Sequence, residues 1–378
     1  MIKGKHMQKS YIWSIPTRVF HILFIVFILL TFISAEEDRW LDYHAVVGYA
    51  VLILLLFRVF WGLIGPRYSL FKDFPIGKQN TKEFLNNIFQ EKQKYIGHNP
   101  LASYVMIAMF IVAFLTIVTG VLAFGIQEGK GVLSFLNDSF FKKMELFEEL
   151  HEFLSSLFIA LIIAHMLGIL IDRLLHKKHE TLNSIVTGYK VTQENESIKL
   201  NIYQKIFSLI MFIFFIGFII FNFYKPNNIL IASKYEQMDY SAKNELFVSE
   251  CASCHTLYPP NLLPKKSWQL IMSDLENHFG DDASIDEESN KQILAFLLNN
   301  SAEVSTSEAS WNFLNSIDNK DIIALSDTTY WKNTHKDIPK EFYENENIKT
   351  KANCKACHSD IEKGFIEDAN IKNLSNFS

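Results

Sequence analysis

Cysteine is scarce in this chain, four residues in 378, and all four sit in two copies of one unit, Cys251-Ala-Ser-Cys254-His255 and Cys354-Lys-Ala-Cys357-His358. None is left over, which excludes a fold stapled by disulfides. Arginine is absent from Lys225 to Ser378, where fifteen lysines face twenty-four acids. The same stretch has no apolar run able to cross a bilayer, which takes about 20 helical residues. An excess of nine acids argues against a nucleic-acid partner and suits either a basic docking protein or a solvated face. The first 224 residues reverse both features, with twenty-one Lys plus Arg against seventeen acids and one apolar run after another. The overall 49% hydrophobic content and mean hydropathy of +0.10 average over this split.

In a Cys-x-x-Cys-His unit the two thiols form thioethers to haem vinyl groups, and the adjacent imidazole ligates the iron from one side. Cys251, Cys254, Cys354 and Cys357 are therefore expected to carry two covalent c haems, with His255 and His358 as proximal ligands. Structural zinc is the competing use of such residues, but two copies each ending in His, with no further cysteine, fit it poorly.

Five apolar runs, at about 17–34, 43–64, 101–124, 147–171 and 206–223, predict five membrane helices. The first has a lysine-rich start like a signal peptide, yet its apolar stretch exceeds the usual roughly 7–15 residues, so it is expected to be retained. Lys3, Lys5, Lys9 and Arg18 precede it, and Arg67, Lys72, Lys78, Lys82, Lys92 and Lys94 lie between the second and third runs. Positive charge of this kind stays cytoplasmic. The stretch with Arg173, Lys177, Lys178, Lys190 and Lys199 falls on the same side, whereas Glu36, Glu37 and Asp38 fall outside. Lys130, Lys142 and Lys143 dissent mildly. The expectation is a multi-pass protein of a bacterial inner membrane with a cytoplasmic N-terminus. Its C-terminal domain is then periplasmic, where c-type haem is attached.

Four histidines lie within the first four runs, and a ligating side chain at membrane depth is a functional residue by default. His151 and His165 are fourteen residues apart, roughly 40° around and about 21 Å along one helix, so a single helix can serve two stacked haems. His21 and His165 match in depth near the inner side, and His44 and His151 near the outer. This predicts two non-covalent b haems, an inner one on His21 and His165 and an outer one on His44 and His151. Gly48 and Gly168 provide small residues where a ring edge would approach. Arg18, Arg58 and Arg173, at inner helix ends, can pair a haem propionate or a quinone carbonyl, or simply anchor the helices.

The phrases Pro16-Thr-Arg-Val-Phe-His21, His44-Ala-Val-Val-Gly48, Phe57-Arg-Val-Phe-Trp-Gly62 with Gly65-Pro-Arg67, Gly97-His-Asn-Pro100, and Thr187-Gly-Tyr-Lys190 after the His151/His165 pair carry a resemblance. Over roughly the first half, the chain resembles the bacterial cytochrome b561 and nickel-iron hydrogenase cytochrome b family. That resemblance implies a four-helix bundle, two b haems and electron exchange with quinone or quinol. His98 falls in one of the shared phrases, so it is the loop histidine with a claim to a role near quinone or a propionate; His6, His176 and His179 read as ordinary surface residues.

Beyond His255 and His358 the tail holds only His278 and His335, enough for two bis-histidine irons, with Met238 and Met272 competing. Which distal histidine serves which iron is open at this level. The tail also resembles the dihaem cytochromes c of proteobacteria. It does so through Cys251–His255 with Tyr258-Pro-Pro260, Leu263-Pro264, Ser267-Trp268, Asn277-His-Phe-Gly280, Thr334-His-Lys-Asp-Ile-Pro339 and Asn353–His358. The resemblance implies bis-histidine haems of low potential, working with a b-type membrane cytochrome and a small oxygen-binding c-type haem protein. The 301–325 segment reads as local packing or solvent-facing.

The expected architecture is all-α: a transmembrane helical bundle of four haem-binding helices plus a fifth anchor helix, followed by a small mainly α dihaem cytochrome c domain. Its segments are 1–200, a fifth helix and tether over 201–243, and 244–378. The expected role is electron relay between the quinone pool and a periplasmic c-type cytochrome or other soluble redox protein, in contact with lipid, as a monomer or homodimer. Two other roles share the haem set: a subunit passing electrons inward from a hydrogenase or dehydrogenase, and a superoxide- or gas-reactive haem protein.

Overall fold

The structure is a computed structural model that describes residues 8–89, 95–175, 181–192, 195–318 and 320–372. His6, His176 and His179 lie outside these, as do Lys3, Lys5, Lys92, Lys94, Lys177 and Lys178. The chain divides into two compact units, the first made of Met1–Glu36, Leu41–Ala123 and Glu145–Ile231. The second is made of Glu37–Trp40, Phe124–Met144 and Ala232–Ser378.

Among the described residues, five helices are long and apolar enough to cross a membrane. They span Ile15–Ser34, Leu41–Ile64, Pro100–Ile126, Leu146–Leu175 and Ile202–Tyr224. Pro16 in the first turn of the first helix supplies a preset φ where its missing N–H has no intrahelical use. The fifth starts with a capping box, Asn201 and Gln204 bonding reciprocally, and Gln204 also donates to the Ile64 carbonyl at the end of the second. Ala50, Leu54, Phe57 and Trp61, one face of the second helix at i, i+4, i+7 and i+11, are buried with Phe20 and Phe215. Leu55 on its other side packs with Val112, Ala113 and Phe158. Most remaining apolar side chains of these helices are exposed, as lipid-facing positions must be.

One element escapes an all-helical reading. Strand β1 (Gln8–Tyr11) pairs antiparallel with β2 (Tyr189–Thr192), Gln8 opposite Thr192 and Tyr11 opposite Tyr189. Four-residue strands of mixed polarity give too short an alternation to stand out, and the pair forms because it closes a small core of Ile12, Trp13, Tyr68 and Ile198. Gly188, at φ +87°, makes the turn into β2 beneath the Tyr11 ring, where a Cβ would lie 2.6 Å from ring carbon.

In the second unit, short helices Glu245–Cys251, Lys265–Ser273, Glu287–Asn299, Glu308–Ile317 and Thr329–Thr334 surround a core that includes Phe247, Leu262, Ile293, Leu297 and Ile361. Asn244, Asp286 and Thr328 cap three of these helices through side-chain oxygens. The 301–325 segment packs locally, with Phe313 and Ile317 from Glu308–Ile317 entering that core. The three dissenting lysines belong to this unit, and two are visibly engaged. Lys130 pairs with Glu367 at 2.8 Å, and Lys142, 2% exposed, donates to the carbonyls of Gln127 and Thr306. The stretch read as a tether is likewise tied down. Gly131 N–H donates to the Ala232 carbonyl, Lys234 N–H to that of Gly129, and the Tyr235 hydroxyl to Asn137.

Candidate haem-binding sites

Cys251 ends the helix Glu245–Cys251, and Cys254 and His255 follow in the succeeding turn. Cys354 opens a single 3-10 turn, Cys354–Ala356, after which the His358 N–H bonds back to the Cys354 carbonyl at 2.8 Å. All four thiols are free. The ring centres of His255 and His278 are 6.0 Å apart with planes 20° from parallel, and those of His335 and His358 are 6.2 Å apart at 63°. Two imidazoles bound at about 2.0 Å to opposite sides of one metal have ring centres about 6 Å apart. Space therefore pairs His278 with the first motif and His335 with the second. Met272, 7% exposed, is core packing, as is its partly buried neighbour Met238.

Several of these rings are oriented from behind. Nδ1 of His255 lies 2.7 Å from the Thr256 carbonyl and that of His335 2.9 Å from the Trp331 carbonyl. An N–H donated there leaves the Nε2 lone pair for a metal. His358 lacks such a bond, its Nδ1 being buried without a partner. Burial lowers the pKa of both His335 and His358, against the Trp331 carbonyl for the first and with help from His335 for the second, favouring the neutral form that ligates.

Two aromatic residues here were not singled out as site residues. The Trp331 ring stacks on His335 at 4.4 Å and 13°. Tyr258 is 5.4 Å from the His255 ring, donates its hydroxyl to the Ala352 carbonyl, and sits 3.9 Å from Cys354 Sγ. With Thr256 bonded to Asn353 at 3.4 Å, Tyr258 makes the two motifs neighbours.

Among the membrane helices, the His44 and His151 rings are 6.1 Å apart and nearly perpendicular at 85°. His44 Nδ1 lies 3.0 Å from the Thr31 carbonyl and His151 Nδ1 2.9 Å from that of Thr116. Gly120 on the third helix faces the His151 ring, and a Cβ there would come within 2.8 Å of it. Nothing in the sequence linked this glycine to His151. At Gly48 and Gly168 a Cβ would meet nothing within 4 Å, so both leave room beside their helices. His21 and His165 are both half-buried, and among the described residues they make no ring contact with each other. The residues thus fit haem at both classes of site: paired imidazoles at the right separation, thiols free for thioethers, and small residues beside the rings. Among the described residues no three His, Cys, Asp or Glu side chains gather as a metal-ion cluster, which a zinc centre would require.

The three arginines separate. Arg58 is 3% exposed, its guanidinium 5.0 Å over the Phe71 ring and 5.3 Å over Phe110, with Nη1 unpartnered. Arg18 is half-buried and donates to the Val186 carbonyl, and Arg173 is exposed. His98 is not a free loop residue, because its ring packs 5.0 Å from Trp13 and 4.9 Å from Phe74. Burial and the charges of Arg58 and Lys190 push its pKa down to about 3.

Residues 12–188 match the prokaryotic cytochrome b561 family and residues 247–365 the dihaem cytochrome c family. A probable Ni/Fe-hydrogenase 1 B-type cytochrome subunit of Escherichia coli K12 is 23% identical over 146 residues, 31% of this chain and 61% of that protein. A probable Ni/Fe-hydrogenase B-type cytochrome subunit of Rhizobium leguminosarum bv. viciae is 24% identical over 140 residues, 30% of this chain and 58% of that one. The chain thus spans about three fifths of the curated relatives it matches. A solved dihaem cytochrome c from Rhodobacter sphaeroides is 35% identical, covering 32% of this chain and 95% of that one, with a TM-score of 0.29. One from Shewanella baltica OS155 is 27% identical over 37% of this chain and 98% of that one, also with a TM-score of 0.29. With five apolar helices ahead of two Cys-x-x-Cys-His motifs, the chain is an integral-membrane protein in which a cytochrome b561 domain precedes a dihaem cytochrome c domain.

Proposed function

We propose that this cytochrome relays electrons between the quinone pool and a periplasmic c-type cytochrome or other soluble redox protein. Its ligand sets are His21/His165 and His44/His151 for two b haems, and His255/His278 and His358/His335 for two c haems. The observation that carries this is the recurrence of one arrangement, three histidine pairs with ring centres 6.0 to 6.2 Å apart. Haem, when bound, supplies the one-electron chemistry; the chain's residues hold, space and insulate it. The bundle and its fifth helix, 1–200 and 201–243, form the quinone-facing part, and 244–378 the partner-facing part. Positive charge before the first helix and between the second and third supports a cytoplasmic N-terminus and a periplasmic dihaem domain.

Pyridine haemochrome on purified protein should give two b and two c haems per chain. In potentiometric titration a quinol analogue should reduce the b pair first. A single b haem would remove one of the two membrane ligand pairs, and b haems inert to quinol would shift the reading to an electron-accepting subunit. That second reading is favoured by the relatives' description as hydrogenase cytochrome subunits. It requires potentials that fall from the membrane outward, so the same titration separates the two.

The acidic tail makes a basic acceptor the expected partner. Glu276, Asp281, Asp282, Asp286, Glu287 and Glu288 flank His278 in sequence, all on exposed positions. Electron transfer to a basic acceptor should slow roughly tenfold or more between low and high ionic strength. A salt-independent stopped-flow rate would rule out charge-steered docking.

A further inference from the structure

We propose that Arg58 and Lys190, with His98 beside them, form the carboxylate cradle for the propionates of the inner b haem. This rests on the reading of His21 and His165 as that haem's ligands. Arg58 and Lys190 are each only 3% exposed, although they come from distant parts of the chain, the second membrane helix and strand β2. Arg58 is held over two phenylalanine rings with Nη1 unpartnered. Lys190 spends one of its three donors on the Ile96 carbonyl at 3.0 Å, which draws β2 against the loop before the third helix.

A buried cation without an anion is strongly disfavoured, so a fold that buries two implies negative charge to balance them. His98 packs on Phe74, which contacts the Phe71 ring beneath Arg58, and Lys190 bonds the carbonyl of Ile96, two residues before His98. Phe57, next to Arg58, packs on Phe20, next to His21, which places the cluster beside the inner ligands. Asp172, two turns beyond His165 on the same helix, is the acid that acts on Lys190. Among the described residues, one carboxylate does not offset two cations. Burial brings Lys190 down to about 8, against Asp172, so it keeps most of its charge at neutral pH. A quinone offers neutral carbonyl oxygens and would leave both charges unbalanced, whereas haem brings two carboxylates. His98, neutral by its surroundings, can contribute an N–H to the same group.

The test is potentiometric titration of the full-length protein carrying Lys190→Met, Arg58→Gln or Lys190→Arg, alongside His165→Ala. Nearby positive charge favours Fe(II), so losing either cation should lower the midpoint of one b haem. That haem should also acquire a new pH dependence as its propionates take up protons, while the other b haem and both c haems stay unmoved. Lys190→Arg should restore the wild-type midpoint, which separates a charge effect from misfolding. Unchanged b potentials with slowed quinol oxidation would overturn the proposal in favour of a quinone site. Unchanged potentials with loss of a co-purifying anionic phospholipid would overturn it in favour of a lipid headgroup. His165→Ala keeping both b haems would instead sink the ligand reading, whatever the other variants do.

Discussion

His151→Ala is expected to leave both c haems in place, remove one b haem, and stop quinol-driven reduction of the c haems while dithionite still reduces them. The expectation follows from how much converges on this ring. His151 faces His44 at 6.1 Å, its Nδ1 is oriented by the Thr116 carbonyl, and Gly120 clears the space beside it. His44→Ala should behave the same way, since each imidazole is half of one site. Gly120→Val is a milder form of the experiment. Its side chain would enter within 2.8 Å of the His151 ring, so the ring must tilt, and haem retention should fall roughly 10- to 100-fold, as it does when groups supporting a metal ligand are disturbed. Difference spectra of purified variants decide the matter. Two b haems in His151→Ala would place the outer haem elsewhere.

Much of the candidate site could be proposed from residue order because its chemistry is spelled locally. A Cys-x-x-Cys-His unit is contiguous, and the depth of a histidine in a membrane helix follows from its distance to the helix end. The quantities that were not legible depend on which distant segments meet. His278 and His335 could be counted as candidate distal ligands, but which motif each lies beside is given only by the 6.0 and 6.2 Å separations. Gly120 looks like any small residue in an apolar helix until the ring of His151 is placed against it. Arg18, Arg58 and Arg173 share a sequence signature and differ only in tertiary surroundings. The first reaches the Val186 carbonyl, the second lies between Phe71 and Phe110, and the third is exposed. The β1/β2 pair escapes for a related reason, its partners being 178 or more residues apart and its strands four residues long.

On the proposed ligand sets, His335→Met should raise the midpoint of the second c haem alone, because thioether replaces imidazole while the other proposed ligand, His358, is untouched. Each tenfold gain in preference for Fe(II) reads as about 59 mV in a one-electron couple, so even one such step is resolved. The stacking of Trp331 on His335 bears on the result. That ring braces the distal imidazole at 4.4 Å, and Trp331→Ala should broaden the same haem's signals without exchanging its ligand. His278→Met should move the other c haem, and in the double variant both should rise. To say which haem has moved, the substitutions are repeated in a Cys354→Ser, Cys357→Ser background, which leaves only the haem at Cys251 and Cys254. There His335→Met should have no effect on the remaining c haem and His278→Met its full effect. The reverse outcome would mean that the two distal histidines cross between motifs. With Tyr258 reaching from the His255 ring to Cys354 Sγ, the two motifs are close enough for such an exchange to be a real alternative.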